Sequence, residues 1–205
     1  MKFNDFKNKF DNFLVFTQQD VKNYDEYFSR ENLHEWQKKN YIKKIIKGHY
    51  IFSDTEINKS VLFTIANEIY KPSYISFESA LYYYHLIPEV VMGITSANGR
   101  NTYSFKSSFG NFSYKKIKPS LMFGYKIVKY LNHLFKIAEI EKAVLDFFYL
   151  KPHLKEDEDF EELRFNSKEF LKQASLKKFK LYLKEYKNKS LSKRMNFFLR
   201  YIKYA

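Results

Sequence analysis

Apolar residues over the first fifty positions follow a helical period and then change to a strand period. Phe3, Phe6, Phe10 and Phe13 recur every three to four residues, which predicts a helix with a phenylalanine stripe. Thr17 precedes a second short pattern, Gln18 to Tyr24, and its hydroxyl can accept one of the amides left unpaired in a first turn. Ser29 repeats that device before RENLHEWQKKNY, in which Leu33 and Trp36 share one face. After Asn40 come two β-rich runs, Tyr41 to Ile46 and His49 to Phe52, divided by Lys47-Gly48 and predicting a hairpin. Three helices and a hairpin is the order of a winged helix-turn-helix domain. There the third helix enters a major groove and the hairpin touches the adjacent backbone.

The remainder predicts a larger mixed domain. A helix is expected from Thr55 through EINKSVLFTIANEIY to Lys71-Pro72, and another from Ser76 through FESALYYYHL, ended by Pro88. Val90 to Tyr125 is rich in Val, Ile, Thr, Tyr, Phe and Ser, with turns at Ala97-Asn98-Gly99 and Phe109-Gly110-Asn111, and predicts several antiparallel strands. Phe135 to Leu150 predicts a helix ended by Pro152, and KEDEDFEE (Lys155 to Glu162) an exposed turn or linker. Two helices follow, one with Leu176, Phe179, Leu183 and Tyr186 on a face, the other with Leu191, Met195, Phe198, Leu199 and Ile202. The expected fold class is α+β: a winged helix-turn-helix over residues 1–54, then a mixed α/β domain over 55–205 with an antiparallel sheet and C-terminal helices.

Composition removes whole classes of chemistry. The chain of 205 residues has no Cys, so disulfides, thiolate nucleophiles and Cys-ligated metals are excluded. Five Gly, four Pro and an aromatic fraction of 20% describe a globular chain rather than a disordered one. No run approaches the ~18 apolar residues of a membrane span, and no signal-like apolar run opens the sequence, so the expected location is the cytoplasm.

Charge sharpens the reading. The net charge is +13, divided as +2 over residues 1–54, +4 over 55–150 and +7 over 151–205. Arg164 to Ala205 alone holds 13 basic residues against Glu169 and Glu185. Such a run points to a polyanionic or acidic partner, the plain alternative being a solvated basic surface.

Catalytic patterns are weak by comparison. His34, His49, His85, His133 and His153 form no metal-ligand pair, and neither G-x-x-x-x-G-K nor G-x-G-x-x-G occurs. The acidic pairs Glu139 with Glu141 and Asp157 with Asp159 could bind a divalent cation for phosphoryl transfer. The Glu139, Glu141 and Asp146 region is the one that would suggest a metal-dependent nuclease or nucleotidyltransferase, although Asp146 is better explained as the i, i+4 partner of Lys142. Ser79 and Tyr82 to Tyr84 lack a general base at a recognisable spacing. No catalytic residue, cofactor or metal is therefore expected.

Binding residues are better supplied. Packing Leu33 inward turns His34, Glu31, Glu35, Lys38 and Lys39 outward, with Arg30 and Asn32 at the flanks. Arg30, Asn32, His34, Lys38 and Lys39 are the expected major-groove set, and Lys43, Lys44 and Lys47 the phosphate contacts of the wing. Lys177, Lys178, Lys180 and Lys184 offer a second cationic stretch for nucleic-acid phosphate or an acidic protein surface.

The order of these segments resembles the AbiEi family of type IV antitoxins. The resemblance is carried by GHYIFS, PSYISFESALYYYHLIPE, SSFGNFSYKKIKPSLMFGY and AEIEKAVLDFFYL, and covers roughly Thr17 to Leu150. It implies a transcriptional autorepressor whose winged helix binds inverted repeats in double-stranded promoter DNA. It also implies an antitoxin against a nucleotidyltransferase-like toxin encoded beside it, without a stable complex; the protein itself is expected to be a monomer or weak dimer. Family members carry no catalytic residues. The chain departs from the pattern at His85, where a glycine is common, and in the acidic outer face of the Ser29 helix.

Overall fold

The computed structural model describes residues 1–88 and 93–204. It is an α+β structure with two clusters of buried apolar side chains, one inside the first 52 residues and a larger one that spans the rest and also takes in Leu14, Val15, Ile45 and Ile51.

The first unit runs α1 (Phe3–Phe10), β1 (Phe16–Thr17), α2 (Gln18–Lys22), α3 (Arg30–Lys38), β2 (Ile42–Ile46) and β3 (His49–Phe52). Its three strands are antiparallel in the order β1-β3-β2. Ile46 pairs with His49, leaving Lys47-Gly48 as a two-residue loop in which Gly48 has φ +84°. Of the phenylalanine stripe, Phe6 and Phe10 are buried, while Phe13 lies beyond the helix and is exposed. Thr17 opens α2 with a reciprocal cap: its hydroxyl accepts from Asp20 N–H, and the Asp20 carboxylate accepts from Thr17 N–H.

Alternation along β3 divides the small sheet between two cores. Tyr50 and Phe52 face the helices with Phe6, Phe16, Leu33 and Trp36, whereas Ile51 joins Leu14, Val15 and Ile45 in the larger core.

The larger unit is built on α4 (Lys59–Ile69), β4 (Ser73–Ile75), α5 (Phe77–Tyr83), β5 (Ile94–Asn98), β6 (Tyr103–Ser107), β7 (Gly110–Lys116), β8 (Tyr125–Tyr130), β9 (His133–Ala138), α6 (Ile140–Leu150), α7 (Asp157–Glu162), α8 (Ser167–Gln173), α9 (Leu176–Glu185) and α10 (Lys189–Tyr204). The sheet order is β6-β7-β5-β4-β9-β8. Its hairpins are antiparallel, but β5 lies parallel to β7 and β4 parallel to β9, so the sheet is mixed rather than antiparallel throughout.

Several boundaries differ from the sequence pattern. Phe135 to Ala138 belong to β9, whose Phe135 and Ile137 are buried on one side, and α6 starts only at Ile140. The helix expected from Thr55 opens at Lys59, because Asn58 Oδ1 accepts from Val61 N–H. Helix α5 closes at Tyr83, before Pro88: Leu86 N–H donates to Leu81 O, and His85 takes a φ of +58°. The expected turns shift as well. Strand β5 continues through Asn98, and the second loop is Ser108-Phe109, with Gly110 opening β7. The expected strand residues Val90 and Val91 lie outside the described residues. KEDEDFEE is not a linker, since it contains α7 and buries Phe160 completely against Phe148 and Phe198. Among the described residues no helix is long and apolar enough to cross a membrane.

Candidate nucleic-acid interface

Helix α3 is fixed from beneath. Ser29 Oγ accepts from Glu31 N–H, while Leu33 and Trp36 point inward and the Trp36 ring stacks on Phe6 with centroids 4.7 Å apart. Asn40 ends the element with φ +54°, and Tyr41 N–H donates back to Trp36 O. This anchoring leaves Arg30, Glu31, His34, Glu35 and Lys38 on the exposed side.

Strand register then sets the hairpin beside that helix. Lys44 pairs across from Tyr50 on the face turned toward the helices. Ser29, Arg30, Glu31, Leu33, His34, Gln37, Lys44 and Tyr50 together line a cleft of about 600 Å³. Of the expected contact residues, the cleft thus unites Arg30, His34 and Lys44. Lys38 lies exposed outside it and pairs with Glu35 at 3.3 Å. Asn32, Lys39 and Lys47 do not line it either, and Lys43 donates to Ser53 O at 3.4 Å. Gln37 was missed by the sequence pattern; its side chain donates to Leu33 O, and only its position one turn beyond Leu33 could have placed it at the cleft.

The cationic stretch of α9 is only partly free. Lys177, Lys180 and Lys184 are exposed and, with Lys178, Ser175 and Leu181, surround a shallow cleft of about 460 Å³. Lys178 is committed to Glu139 at 2.7 Å. Burial alone would lower the Lys178 pKa, but the hydrogen bond and charge of Glu139, with Glu141 nearby, raise it above the usual lysine value. Arg194, though part of the basic C-terminal run, is internal. Its guanidinium donates to Phe148 O, Lys151 O and Leu154 O, collecting carbonyls at the end of α6.

The carboxylates that suggested metal chemistry are separately engaged. Glu139 accepts from Lys178 and from Tyr182 OH, and Glu141, 4% exposed, accepts from Ser175 N–H at 2.8 Å. Asp146 is buried in a closed network: it accepts from Lys142, from Tyr74 OH at 2.8 Å, from Ser76 Oγ at 2.9 Å and from Tyr186 OH at 2.7 Å. Lys142 in turn donates to Tyr74 OH and Tyr186 OH, both at 2.9 Å. Burial, reinforced by the Asp146 charge, pushes both tyrosine hydroxyls well above their usual pKa. Among the described residues no group of three or more His, Cys, Asp or Glu side chains is placed to hold a metal ion.

The chain matches no protein-family model and no curated protein sequence.

Proposed function

We propose that this protein is a DNA-binding transcriptional autorepressor and antitoxin of the AbiEi kind. In this reading residues 1–54 are a winged helix-turn-helix, α3 is its recognition helix, β2-β3 is its wing, and residues 55–205 carry the antitoxin activity in the cytoplasm. The observation that carries the reading is the cleft between α3 and the hairpin, where Arg30 and His34 stand opposite Lys44. Arg suits the guanine edge bidentately, His can donate to base or phosphate, and a wing lysine suits the flanking phosphate. The strand order β1-β3-β2 supports it too, since a helix, strand, two helices and a hairpin is the chain order of a winged helix. Glu31 at the same cleft can accept from a cytosine amine, which makes selectivity for G·C steps part of the reading.

The test is fluorescence anisotropy with a duplex carrying the inverted repeats upstream of the protein's own gene. Tight binding that weakens steeply from 50 to 200 mM salt is expected, because each phosphate contact releases condensed counterions. Equal affinity for a scrambled duplex, or no salt dependence, overturns the assignment. The antitoxin part is tested by co-expression with the neighbouring nucleotidyltransferase-like gene: growth should be rescued without a co-eluting complex.

A further inference from the structure

A second site lies away from the basic surfaces, where β4 begins beside β9. Asn67 and Glu68 at the end of α4, Lys71-Pro72-Ser73, and Ile127, Leu134, Phe135 and Lys136 of the β8-β9 hairpin line a cavity of about 310 Å³. At this point the parallel ladder is short. Strand β4 starts at Ser73, whereas β9 starts at His133, and Ile75 is paired with Ile137. Asn67 fills in for a strand neighbour, its Oδ1 accepting from Lys136 N–H at 2.5 Å.

Two polar groups remain over. Asn67 and Ser73 are 8% and 4% exposed, and Asn67 Nδ2 and Ser73 Oγ have no hydrogen-bond partner among the described residues. Buried donors left unpaired are costly, and native structures rarely leave two on one cavity without a reason. Both can donate, and neither carries charge. The walls are of the opposite character. Ile127 and Leu134 are 61% and 55% exposed although they are large aliphatic side chains, and they sit diagonally across the hairpin, Ile127 pairing with Lys136 and Leu134 with Lys129. Of the charged side chains that line the notch, Lys71 and Glu68 neutralise one another at 2.6 Å, and Lys136 carries its ammonium over the Tyr125 ring, 5.7 Å from the centroid.

We propose that this notch binds an extended, uncharged peptide segment bearing an aliphatic side chain. Its backbone carbonyls would take the Asn67 amide and the Ser73 hydroxyl, and its side chain would lie between Ile127 and Leu134. The inference is independent of the DNA reading, since it uses none of the same residues.

The probe is N-acetyl-leucine amide, titrated into the full chain and followed by ¹H–¹⁵N NMR. Saturable shifts of the Asn67 side-chain amide and the Lys136 backbone amide are expected, and N-acetyl-alanyl-leucyl-alanine amide should bind more tightly. Leu134→Glu, an exposed position whose change leaves the core intact, should weaken binding at least about tenfold, the loss expected when ~1.4 kcal/mol of contact is removed. Unchanged shifts at Asn67, or binding indifferent to Leu134→Glu, overturn the proposal. So does tighter binding of N-acetyl-leucine, whose carboxylate would show that the lysines, not the neutral donors, define the site.

Discussion

Asp146 sits one helical turn beyond Lys142, its carboxylate hydrogen-bonded to the lysine ammonium, and neither side chain reaches solvent. The pair is tolerable because the remaining capacity of both groups is used by Tyr74, Ser76 and Tyr186, which tie β4, α5 and the end of α9 to α6. Removing one partner strands the other charge. Lys142→Met or Asp146→Leu should each cost about 3–5 kcal/mol of stability in urea denaturation, and the double variant Lys142→Met with Asp146→Leu should cost less than the two single changes summed. Additive losses would show that the two groups do not act as a pair.

Glu78 gives the acid response. Its carboxylate is held by Lys151 at 2.9 Å and Lys115 at 3.1 Å. Burial would raise its pKa, but the two ammonium groups outweigh that and depress it below the ordinary value of 4.5. A depressed carboxylate stabilises the fold at pH above its unfolded value, and that stabilisation is lost as pH falls through the lower folded value. The Glu78→Gln variant should therefore be less stable at neutral pH and show a shallower loss of stability below about pH 4.5, measured by chemical denaturation across pH.

His85 occupies a position that favours glycine. With φ at +58° it is the left-handed residue closing α5, and an L side chain there crowds the following carbonyl. His85→Gly should raise stability by about 0.5–1 kcal/mol, less than the full strain because glycine also loosens the unfolded chain. No change or a loss of stability would mean that the imidazole contributes contacts of its own.

If α3 reads bases and the hairpin holds phosphate, Arg30 and Lys44 should separate in behaviour. Arg30→Ala should cost about 1–3 kcal/mol on the operator and relax base preference at one position. Lys44→Ala should weaken all duplexes alike and reduce the salt slope by about 1. Anisotropy titrations over single-base operator variants measure both.

Sequence made much of this visible where one face is buried and the next is not. The first unit was legible because Phe6, Leu33 and Trp36 alternate with solvated charges, and because Thr17, Ser29 and Lys47-Gly48 punctuate its elements. The Lys142–Asp146 pair was legible from its spacing alone. Less was visible where the local pattern was short or shared by two elements. Strand β4 is three residues long and fully buried, so it shows no alternation. The apolar residues of β9 run almost without a break into those of α6, which hid the boundary at Glu139. Phe160 alone among seven charged residues gave no period, yet its ring decides that the segment packs as α7. Parallel pairing of β5 with β7 is a non-local choice that no local pattern encodes. At the cleft, residue types were legible, but which lysines face it depends on the register of Lys44 with Tyr50.

Leu14, Val15, Ile45 and Ile51 give the leading fifty-odd residues a greasy underside that is seated in the larger core. Cut free at residue 54, that portion would expose four aliphatic side chains to water at once and would cling to its own kind. The leading and trailing portions are consequently one hydrodynamic object, held at a fixed bearing to one another rather than joined by a tether.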